Sequence, residues 1–301
     1  MAQKSTGPYF KYIAAMLLFG TNGIVASQIT LSSYEIVLTR TLLGSLFLIS
    51  LFVFSKQQLH CWRNKRHFLY LAVSGIAMGL NWMFLYEAYT QIGVSLGILA
   101  CYCGPVIVMM LSPIVFRETM TAPKLLGFLA VLTGMVLVNA QALSDGKTAW
   151  GLFCGLMSAV MYAVMVIFNK KAASIQGLEN AMWQLVGSFV TVAVFVGVKQ
   201  GFAIQLTPAD VVPVLVLGLV NTGIACYLYF SSLGQLPVQT VAISGYLEPL
   251  SALLFSAMLL GERLAPIQIA GAVLILGGAA FGEVMGQRER VVGLATVPAE
   301  P

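Results

Sequence analysis

Long apolar runs separated by short polar segments dominate the pattern of this chain from residue 10 to residue 285. A helix needs about 20 predominantly apolar residues to cross the hydrocarbon core of a bilayer. Ten runs reach or approach this length, at 10–28, 35–54, 69–89, 94–115, 124–140, 150–169, 179–198, 211–232, 239–260 and 266–285. The pattern therefore predicts an all-α membrane protein with ten transmembrane helices, of which the fifth and the tenth are the candidates for short or tilted helices.

The second half of the chain repeats the first with a shift of 144 residues. Identical pairs under this shift are Tyr102/Tyr246, Pro105/Pro249, Ser112/Ser256, Glu118/Glu262, Gly127/Gly271, Leu132/Leu276, Gly134/Gly278, Gly79/Gly223, Gln91/Gln235 and Val94/Val238. Prolines, acids and glycines are costly in a membrane helix, so their coincidence indicates a duplication. We predict two five-helix repeats, 1–143 and 144–286, followed by a disordered cytoplasmic tail, 287–301.

The charged residues are few, and they are sorted by loop. The chain is 59% hydrophobic and 9% charged, with a mean hydropathy of +0.89, whereas a soluble domain carries about 25% charged residues. If the N-terminus is cytoplasmic, twelve Lys and Arg residues fall on the cytoplasmic side and three, Lys147, Lys199 and Arg263, on the other. Cytoplasmic loops are enriched in Lys and Arg, so both termini are predicted to be cytoplasmic. Since each repeat has an odd number of helices, the two must be inverted around a central cavity, as in many secondary transporters.

Several function classes find no support in the residues. The net charge of +5 follows the loop distribution and does not indicate nucleic-acid binding. Four of the five cysteines fall inside predicted spans, which argues against a disulfide framework. Both histidines lie in the basic loop 55–68 without supporting acids, so this loop is typical of an anchor to anionic lipid and not of a metal site. Zinc-protease, phosphate-loop and nucleophile-elbow motifs are absent. The sequence predicts no enzyme, no cofactor and no metal.

Polar and aromatic residues inside the first and third spans mark candidate cavity positions. Asn22 lies between two glycines, Gly20 and Gly23, at the end of the first apolar run, and Asn81, Trp82 and Tyr86 share one face of the third span. Asparagine and tyrosine side chains in hydrocarbon need hydrogen-bond partners, so these residues are expected to face the bundle interior. Packing alone is the alternative for Asn22, and an apolar core stripe is the alternative for the third span.

The fourth and ninth spans carry the same pattern near their middle, Tyr102 with Pro105 and Tyr246 with Pro249. A proline removes one backbone donor and frees a carbonyl one turn earlier, so we predict helix kinks at both prolines and cavity lining by both tyrosines. Glu248 has no acidic counterpart in the first repeat. A carboxylate near the bilayer centre is a functional candidate, and it either exchanges a proton during transport or bonds a freed carbonyl structurally.

Arg40 and Glu87 are each placed about one turn inside the outer surface, on neighbouring spans. An arginine within a membrane usually has a partner, although a long side chain near a helix end can also extend to the interface. We therefore predict that Arg40 and Glu87 pair as an outer gate.

Two stretches resemble the signatures of the ten-helix drug/metabolite transporters, often called EamA-type. The second signature corresponds to Tyr246-Leu-Glu-Pro, Leu260-Gly261-Glu262-Arg263-Leu264, Gln268, Gly271 and the Leu-Ile-Leu-Gly-Gly run from Leu274, and the first to Gly104-Pro105, Glu118 and Gly127. Arg117 departs from the pattern, because the second repeat has Gly261 there. The resemblance implies a multi-pass carrier of the bacterial inner membrane with a cavity lined by the first, third, fourth, sixth, eighth and ninth helices.

The resemblance also implies a secondary transporter that exports small organic metabolites by alternating access. An aromatic wall with a few placed polar groups is typical of sites for small organic ligands, and it favours amino acids with apolar or aromatic side chains. The expected partners are this substrate and membrane lipid, with no nucleic acid, and the residues are compatible with a monomer. A non-transporting membrane protein, such as an intramembrane enzyme or a sensor, is the alternative.

Overall fold

The computed structural model describes residues 7–92, 97, 100–138, 149–202, 204–260 and 265–295. These residues are helical, with no strand among them, and a short 3-10 helix, Cys61–Arg63, follows the second span. The ten described spans are α1 (Gly7–Gly20 with Asn22–Ala26), α2 (Ser33–Phe54), α3 (Lys65–Ile92), α4 (Cys103–Phe116), α5 (Ala122–Val138), α6 (Ala149–Lys171), α7 (Gly177–Lys199), α8 (Val211–Leu233), α9 (Val238–Ser244 with Leu247–Leu260) and α10 (Pro266–Ala295).

Seven of these spans are long and apolar enough to cross a membrane within the described residues. The apolar stretches of the other three are shorter there, at Cys103–Phe116, Ala122–Leu137 and Pro266–Gly282. Large apolar side chains such as Phe54, Ile114 and Val198 are exposed on the outside of the bundle, as lipid contact requires. The predicted all-α membrane fold is confirmed.

The end of α10 lies beyond the predicted start of the tail. The helix is described to Ala295, whereas the tail is predicted to start at residue 287. The segment 287–295 contains no proline and several strong helix formers, so nothing in it ends the helix. Residues 296–301 lie outside the described residues.

Hydrogen bonds between loops show which ends of the helices share a side of the bundle. On one side, the Thr30 amide donates to the Asp210 carboxylate over 2.7 Å, which joins the α1–α2 loop to the start of α8. On the other side, the His60 amide donates to the Glu179 carboxylate over 2.8 Å, which joins the α2–α3 loop to the start of α7. We call the side where α1 begins the amino-terminal side, and the other the opposite side. The predicted grouping of these loops is confirmed, whereas the cytoplasmic location of the amino-terminal side stays a prediction.

The crossing of α5 and α10 shows the symmetry of the two repeats. A Cβ atom on Gly127 would lie 2.5 Å from the Gly278 carbonyl oxygen, and one on Gly134 would lie 2.5 Å from the Gly271 carbonyl oxygen. Gly127 and Gly271 are counterparts under the 144-residue shift, and so are Gly134 and Gly278. Gly127 therefore contacts the counterpart of Gly134, and Gly134 contacts the counterpart of Gly127. A two-fold axis between the repeats produces this reciprocal pattern. Only residues without a Cβ allow backbones this close.

The rest of the packing follows the same symmetry. In the second repeat α6 is the counterpart of α1, and α8 and α9 are the counterparts of α3 and α4. α1 packs against α8 and α9, and α6 packs correspondingly against α3 and α4. Helices of one repeat thus pack against those of the other, and the space between the halves lies near the middle of the bundle.

Candidate functional site

Two broken helices meet near the bundle centre at equivalent positions of the two repeats. A turn at Tyr102 precedes the helix Cys103–Phe116, and a turn at Gly245 and Tyr246 separates the two segments of α9. Pro105 and Pro249 each stand third in the helix that follows, where a missing N–H is tolerated. Both predicted prolines therefore accompany a helix break, which comes three residues before each of them.

A π-helical stretch in α8, Val216–Ile224, presents polar groups to α1 and α2. The Thr222 hydroxyl donates to the Leu217 carbonyl five residues earlier, over 2.7 Å. The Asn221 amide donates to the Leu18 carbonyl over 3.0 Å and to the Thr21 hydroxyl over 2.7 Å. Thr21 interrupts α1, so Asn221 satisfies the backbone at this break. π-Helical stretches occur frequently at functional sites.

A cavity of about 470 Å³ lies between the two repeats. Its described lining comes from α1, α2, α3, α6, α8 and α9 and from the fourth span around Tyr102. These are the six helices expected from the resemblance, with α2 in addition. The volume falls within the range of about 300–1,000 Å³ that is usual for small-molecule pockets.

The cavity reaches the opposite side of the bundle but not the amino-terminal side. Ser27 and Ser33, at the end of α1 and the start of α2, line its mouth. Towards the amino-terminal side a layer of tyrosines closes it: the Tyr12 and Tyr229 rings lie 5.4 Å apart, and the Tyr229 and Tyr162 hydroxyls lie 3.4 Å apart. Tyr12 is 1% exposed and donates to the Val241 carbonyl over 2.9 Å. The described conformation is therefore accessible from one side.

Aromatic side chains form most of the apolar wall. Trp82, Tyr86 and Tyr89 follow one another along α3, and the rings of the two tyrosines lie 5.1 Å apart. Tyr102 continues this wall on the fourth span. Rings of this kind give a ligand a large, rigid apolar contact.

Arg40 lies in the cavity wall with its side chain held from three directions. Its Nε donates to the Thr222 hydroxyl over 2.9 Å, and Nη2 lies 3.5 Å from the Asn22 side-chain oxygen. The guanidinium carbon is 4.9 Å from the centre of the Trp82 ring, within cation–π range. Arg40 is 5% exposed, and no described carboxylate oxygen lies within 4.0 Å of it.

Glu248 is the acidic group of the described cavity wall. It is the second residue of the helix Leu247–Leu260, and its side chain is partly buried. The positive end of the helix dipole favours a carboxylate at this position. No described residue donates a hydrogen bond to its carboxylate, although its backbone carbonyl accepts one from Ser251 over 2.8 Å. The structural bond to a freed carbonyl that the sequence left open is absent among the described residues.

Six of the seven predicted pathway residues line the cavity: Asn22, Asn81, Trp82, Tyr86, Tyr102 and Glu248. The Asn81 amide nitrogen, however, donates to the Ser158 carbonyl over 2.7 Å, so it also links α3 to α6.

Tyr246 is the exception, because it does not belong to the described cavity lining. It is fully buried, and its hydroxyl donates to the Tyr102 carbonyl over 2.7 Å. The helix break turns Gly245 and Glu248 towards the cavity and Tyr246 towards the core, where its ring packs against Phe128.

The predicted gate pair of Arg40 and Glu87 is not formed in the described conformation. The Glu87 carboxylate lies 2.8 Å from the Lys199 ammonium and also accepts from the Tyr34 hydroxyl. Glu87 follows Tyr86 by one residue, about 100° around a helix. Arg40 packs on the cavity face of α3, at Trp82, so Glu87 points away from it.

Sequence reasoning missed four polar residues around the cavity: Tyr162, Tyr229, Asn221 and Thr222. All four lie within predicted spans, and the rule that selected Asn81 and Tyr86, that a polar group in hydrocarbon needs a partner, would have found them. Their contacts depend on the π-helical stretch and on packing between repeats, neither of which is visible in the order of the residues.

Comparison with known proteins agrees with the duplicated fold. The profile of the EamA-like transporter family matches residues 8–140 and again residues 149–281. One solved crystal structure superposes with a TM-score of 0.79 over 94% of this chain and 100% of its own, at 18% sequence identity. At that identity the likeness shows the fold alone.

Relatives in sequence carry transporter names. The Uncharacterized transporter YxxF of Bacillus subtilis is 26% identical over 301 residues, 99% of this chain and 94% of that protein. A Probable amino-acid metabolite efflux pump of Salmonella typhimurium is 29% identical over 193 residues, 60% of this chain and 64% of that protein. The Aromatic amino acid exporter YddG of Ancylobacter novellus is 28% identical over 142 residues, 47% of this chain and 48% of that protein.

Proposed function

We propose that this chain, which belongs to the EamA-like transporter family, is a secondary transporter that exports amino acids with apolar or aromatic side chains. The observation that carries the proposal is the composition of the central cavity. Its described lining combines an aromatic wall with one cation, Arg40, and one carboxylate, Glu248. A zwitterion with an apolar side chain has a matching set of groups. Relatives named as a probable amino-acid metabolite efflux pump and as an aromatic amino acid exporter support this substrate class.

One-sided access supports transport by alternating access. The cavity lies at the junction of the two inverted repeats, where transporters of this plan bind substrate near the bilayer midplane. On the opposite side of the bundle its lining extends to Ser27 and Ser33. Towards the amino-terminal side it is closed by the layer of Tyr12, Tyr162 and Tyr229. Separation of these tyrosines, with closure near the two serines, would expose the same site to the amino-terminal side.

The distribution of basic loops supports the bacterial inner membrane orientation with both termini in the cytoplasm. In that orientation the described conformation faces outward. Single cysteines at His60 and Gln205 test this with a membrane-impermeant thiol reagent in a cysteine-free background. Labelling at position 205 and protection at position 60 in intact cells is expected, and the reverse pattern would contradict the orientation.

Counterflow in proteoliposomes tests the transport activity itself. Vesicles loaded with unlabelled L-phenylalanine are expected to take up external labelled L-phenylalanine, because exchange through one site needs no other driving force. Two phenylalanine substitutions give a matched comparison, since a Cβ on either Gly23 or Gly234 has no neighbour within 4 Å. Gly23 lines the cavity and Gly234 does not.

Gly23→Phe should therefore block exchange, and Gly234→Phe should leave it unchanged. A folded wild-type protein that exchanges no amino acid would contradict the proposal and favour a sensor or an intramembrane enzyme.

A further inference from the structure

Arg40 is buried in the cavity wall, and no described carboxylate oxygen lies within 4.0 Å of its guanidinium. Of the described ion pairs, one joins Lys199 to Glu87 and the other joins His60 to Glu179, and neither includes Arg40. Glu248 lines the same cavity and interacts with Arg40 through space, but its carboxylate does not form an ion pair with the guanidinium within 4.0 Å. A charge removed from water without a counter-ion is costly, and within a membrane such a residue marks a functional site by default.

The guanidinium is fixed in orientation but only partly used as a donor. It has five N–H groups, and its described partners are the Thr222 hydroxyl on Nε and the Asn22 oxygen on Nη2. Nη1 has no described partner and is not among the described fully buried polar atoms that lack one, and Arg40 lines the cavity, so Nη1 is left accessible there. Stacking on Trp82 sets the plane of the group, which makes the subsite preorganised.

The free donors and the fixed plane of the Arg40 guanidinium suit a ligand that carries a carboxylate. The planar guanidinium presents parallel N–H donors that bind the two oxygens of a carboxylate at once, a geometry that a lysine lacks. The apolar wall begins at the same place, because Trp82 contacts Arg40 and Tyr86 lies one turn further along α3. A ligand with a carboxylate at one end and an apolar body at the other could satisfy both.

We propose that Arg40 is the subsite that holds the carboxylate of the substrate, with Thr222 and Asn22 positioning its guanidinium. This inference rests on the proposed transport function and deepens it. Arg40 selects free carboxylic acids against their amides and esters, and its role is ligand binding at the cavity wall and not pairing with an outer gate.

Binding of three related ligands to the purified protein in nanodiscs tests the assignment by calorimetry. L-Phenylalanine carries both charged groups, 3-phenylpropionate lacks the amine, and L-phenylalaninamide lacks the carboxylate. The wild type is expected to bind the two carboxylates at least about tenfold more tightly than the amide. Arg40→Gln should weaken both carboxylates by about ten- to a hundredfold, the range of a charged hydrogen bond, and leave the amide unchanged.

Arg66 offers a matched control outside the cavity. Its Nε donates to the Tyr70 hydroxyl over 2.6 Å and its guanidinium lies 5.5 Å from the Tyr70 ring centre, so it makes the same kinds of contact as Arg40, but at the exposed start of α3. Arg66→Gln should leave all three affinities unchanged. Arg40→Lys, which keeps the charge and loses the paired donors, should give an intermediate loss, and it carries the test should Arg40→Gln fail to fold.

The outcomes separate the two proposals. Equal weakening of all three ligands by Arg40→Gln, or an unchanged preference for carboxylates, would overturn the assignment of Arg40 while leaving transport intact. A folded wild type that neither binds nor exchanges L-phenylalanine would instead contradict the proposed function, and with it the substrate assigned to this subsite.

Discussion

The hydroxyl of Tyr246 donates to the backbone carbonyl of Tyr102 over 2.7 Å, and the two residues are 144 positions apart. They are therefore counterparts in the two repeats, and their rings lie 5.9 Å apart. Although the sequence positions are equivalent, the environments are not, because Tyr102 lines the cavity and Tyr246 is buried behind it. Of the two equivalent tyrosines, Tyr102 is thus available to a ligand in the cavity, whereas Tyr246 joins the two repeats.

This asymmetry predicts different effects of one substitution at two equivalent positions. Tyr246→Phe removes a buried hydrogen bond between repeats, so it should lower stability by about 0.5–1.5 kcal/mol with little change in affinity for L-phenylalanine. Tyr102→Phe keeps the backbone carbonyl that accepts this bond and changes the cavity wall, so it should alter affinity and leave stability nearly unchanged. Thermal unfolding and calorimetry of both variants test this, and equal effects on stability would contradict it.

The close crossing of α5 and α10 predicts strong effects of single methyl groups. A Cβ on Gly127 would lie 2.5 Å from the Gly278 carbonyl oxygen, and a Cβ on Gly278 would lie 2.6 Å from the Gly127 carbonyl oxygen. Gly127→Ala and Gly278→Ala should each force the helices apart and lower the thermal midpoint. Overpacking of this kind costs about 1–3 kcal/mol.

Gly277 provides the control on the same helix, because a Cβ there has no neighbour within 4 Å. Gly277→Ala should be neutral or stabilising by up to about 1 kcal/mol, since alanine favours the helix over glycine. A loss of stability at Gly277 equal to that at Gly278 would show that the crossing is not the cause.

The ion pair between Glu87 and Lys199 predicts a measurable coupling on the opposite side of the bundle. The two groups lie 2.8 Å apart with side chains 17% and 43% exposed, so their interaction should be worth about 0.2–1 kcal/mol. A double-mutant cycle with Glu87→Gln and Lys199→Gln should show this coupling in thermal unfolding. The corresponding cycle with Arg40→Gln and Glu87→Gln should be additive, and coupling there would restore the gate that the sequence suggested.

Most of the fold could be predicted from the sequence, because insertion into a membrane restricts which residues each segment can contain. Apolar length predicted the spans, loop charge predicted which loops share a side, and the 144-residue shift predicted the inverted repeats. Pro105 and Pro249 pointed to the same region of each repeat, although the helix breaks come three residues before them.

The directions of individual side chains were harder to predict. Tyr246 and Glu248 are only two residues apart, and the break in α9 decides which of them meets the cavity. The partner of Arg40 depends on the π-helical stretch that brings Thr222 towards α2. Neither irregularity has a periodic signature, so the sequence identified Arg40 as a candidate but not the partners that it has in the structure.

Asp210 predicts a dependence of stability on pH that originates outside the spans. Its carboxylate accepts hydrogen bonds from the Thr207 hydroxyl over 2.7 Å and from the Thr30 amide over 2.7 Å. The bond from the Thr207 side chain, followed by that from the Thr30 backbone, lowers the pKa of Asp210 well below its ordinary value. The stabilisation is therefore complete above the unfolded pKa of about 3.9 and is lost as the pH falls below it.

Asp210→Asn should lower the thermal midpoint at neutral pH, and the difference from wild type should shrink as the pH is lowered through about 4. Thr207→Val removes only the hydroxyl and should give part of the loss. Melting curves in detergent between pH 7 and pH 3 make the comparison. A difference that stays constant across this range would show that the charge of Asp210 does not contribute.

The position of Glu248 in the cavity wall leads us to predict that a proton gradient drives export. Its carboxylate belongs to the cavity wall without a described hydrogen-bond donor, so it can exchange a proton with water that enters from the opposite side. Carboxylates in such positions serve as proton relays in carriers. Export of L-phenylalanine should therefore accelerate when the outside is made acidic, because a proton taken up there is released on the other side during the return step.

Glu248→Gln keeps the shape of the side chain but cannot ionise, so it should abolish the response to an imposed pH gradient. Counterflow exchange should continue at reduced affinity for L-phenylalanine, because the carboxylate that matches the substrate ammonium is lost. Glu35→Gln is the matched control, since Glu35 caps the start of α2 and lies outside the described cavity wall; it should retain the wild-type response. Labelled efflux from proteoliposomes, with and without the gradient, measures both quantities. If Glu248→Gln transports at the wild-type rate with an unchanged pH dependence, Glu248 has a structural role and export does not depend on its titration.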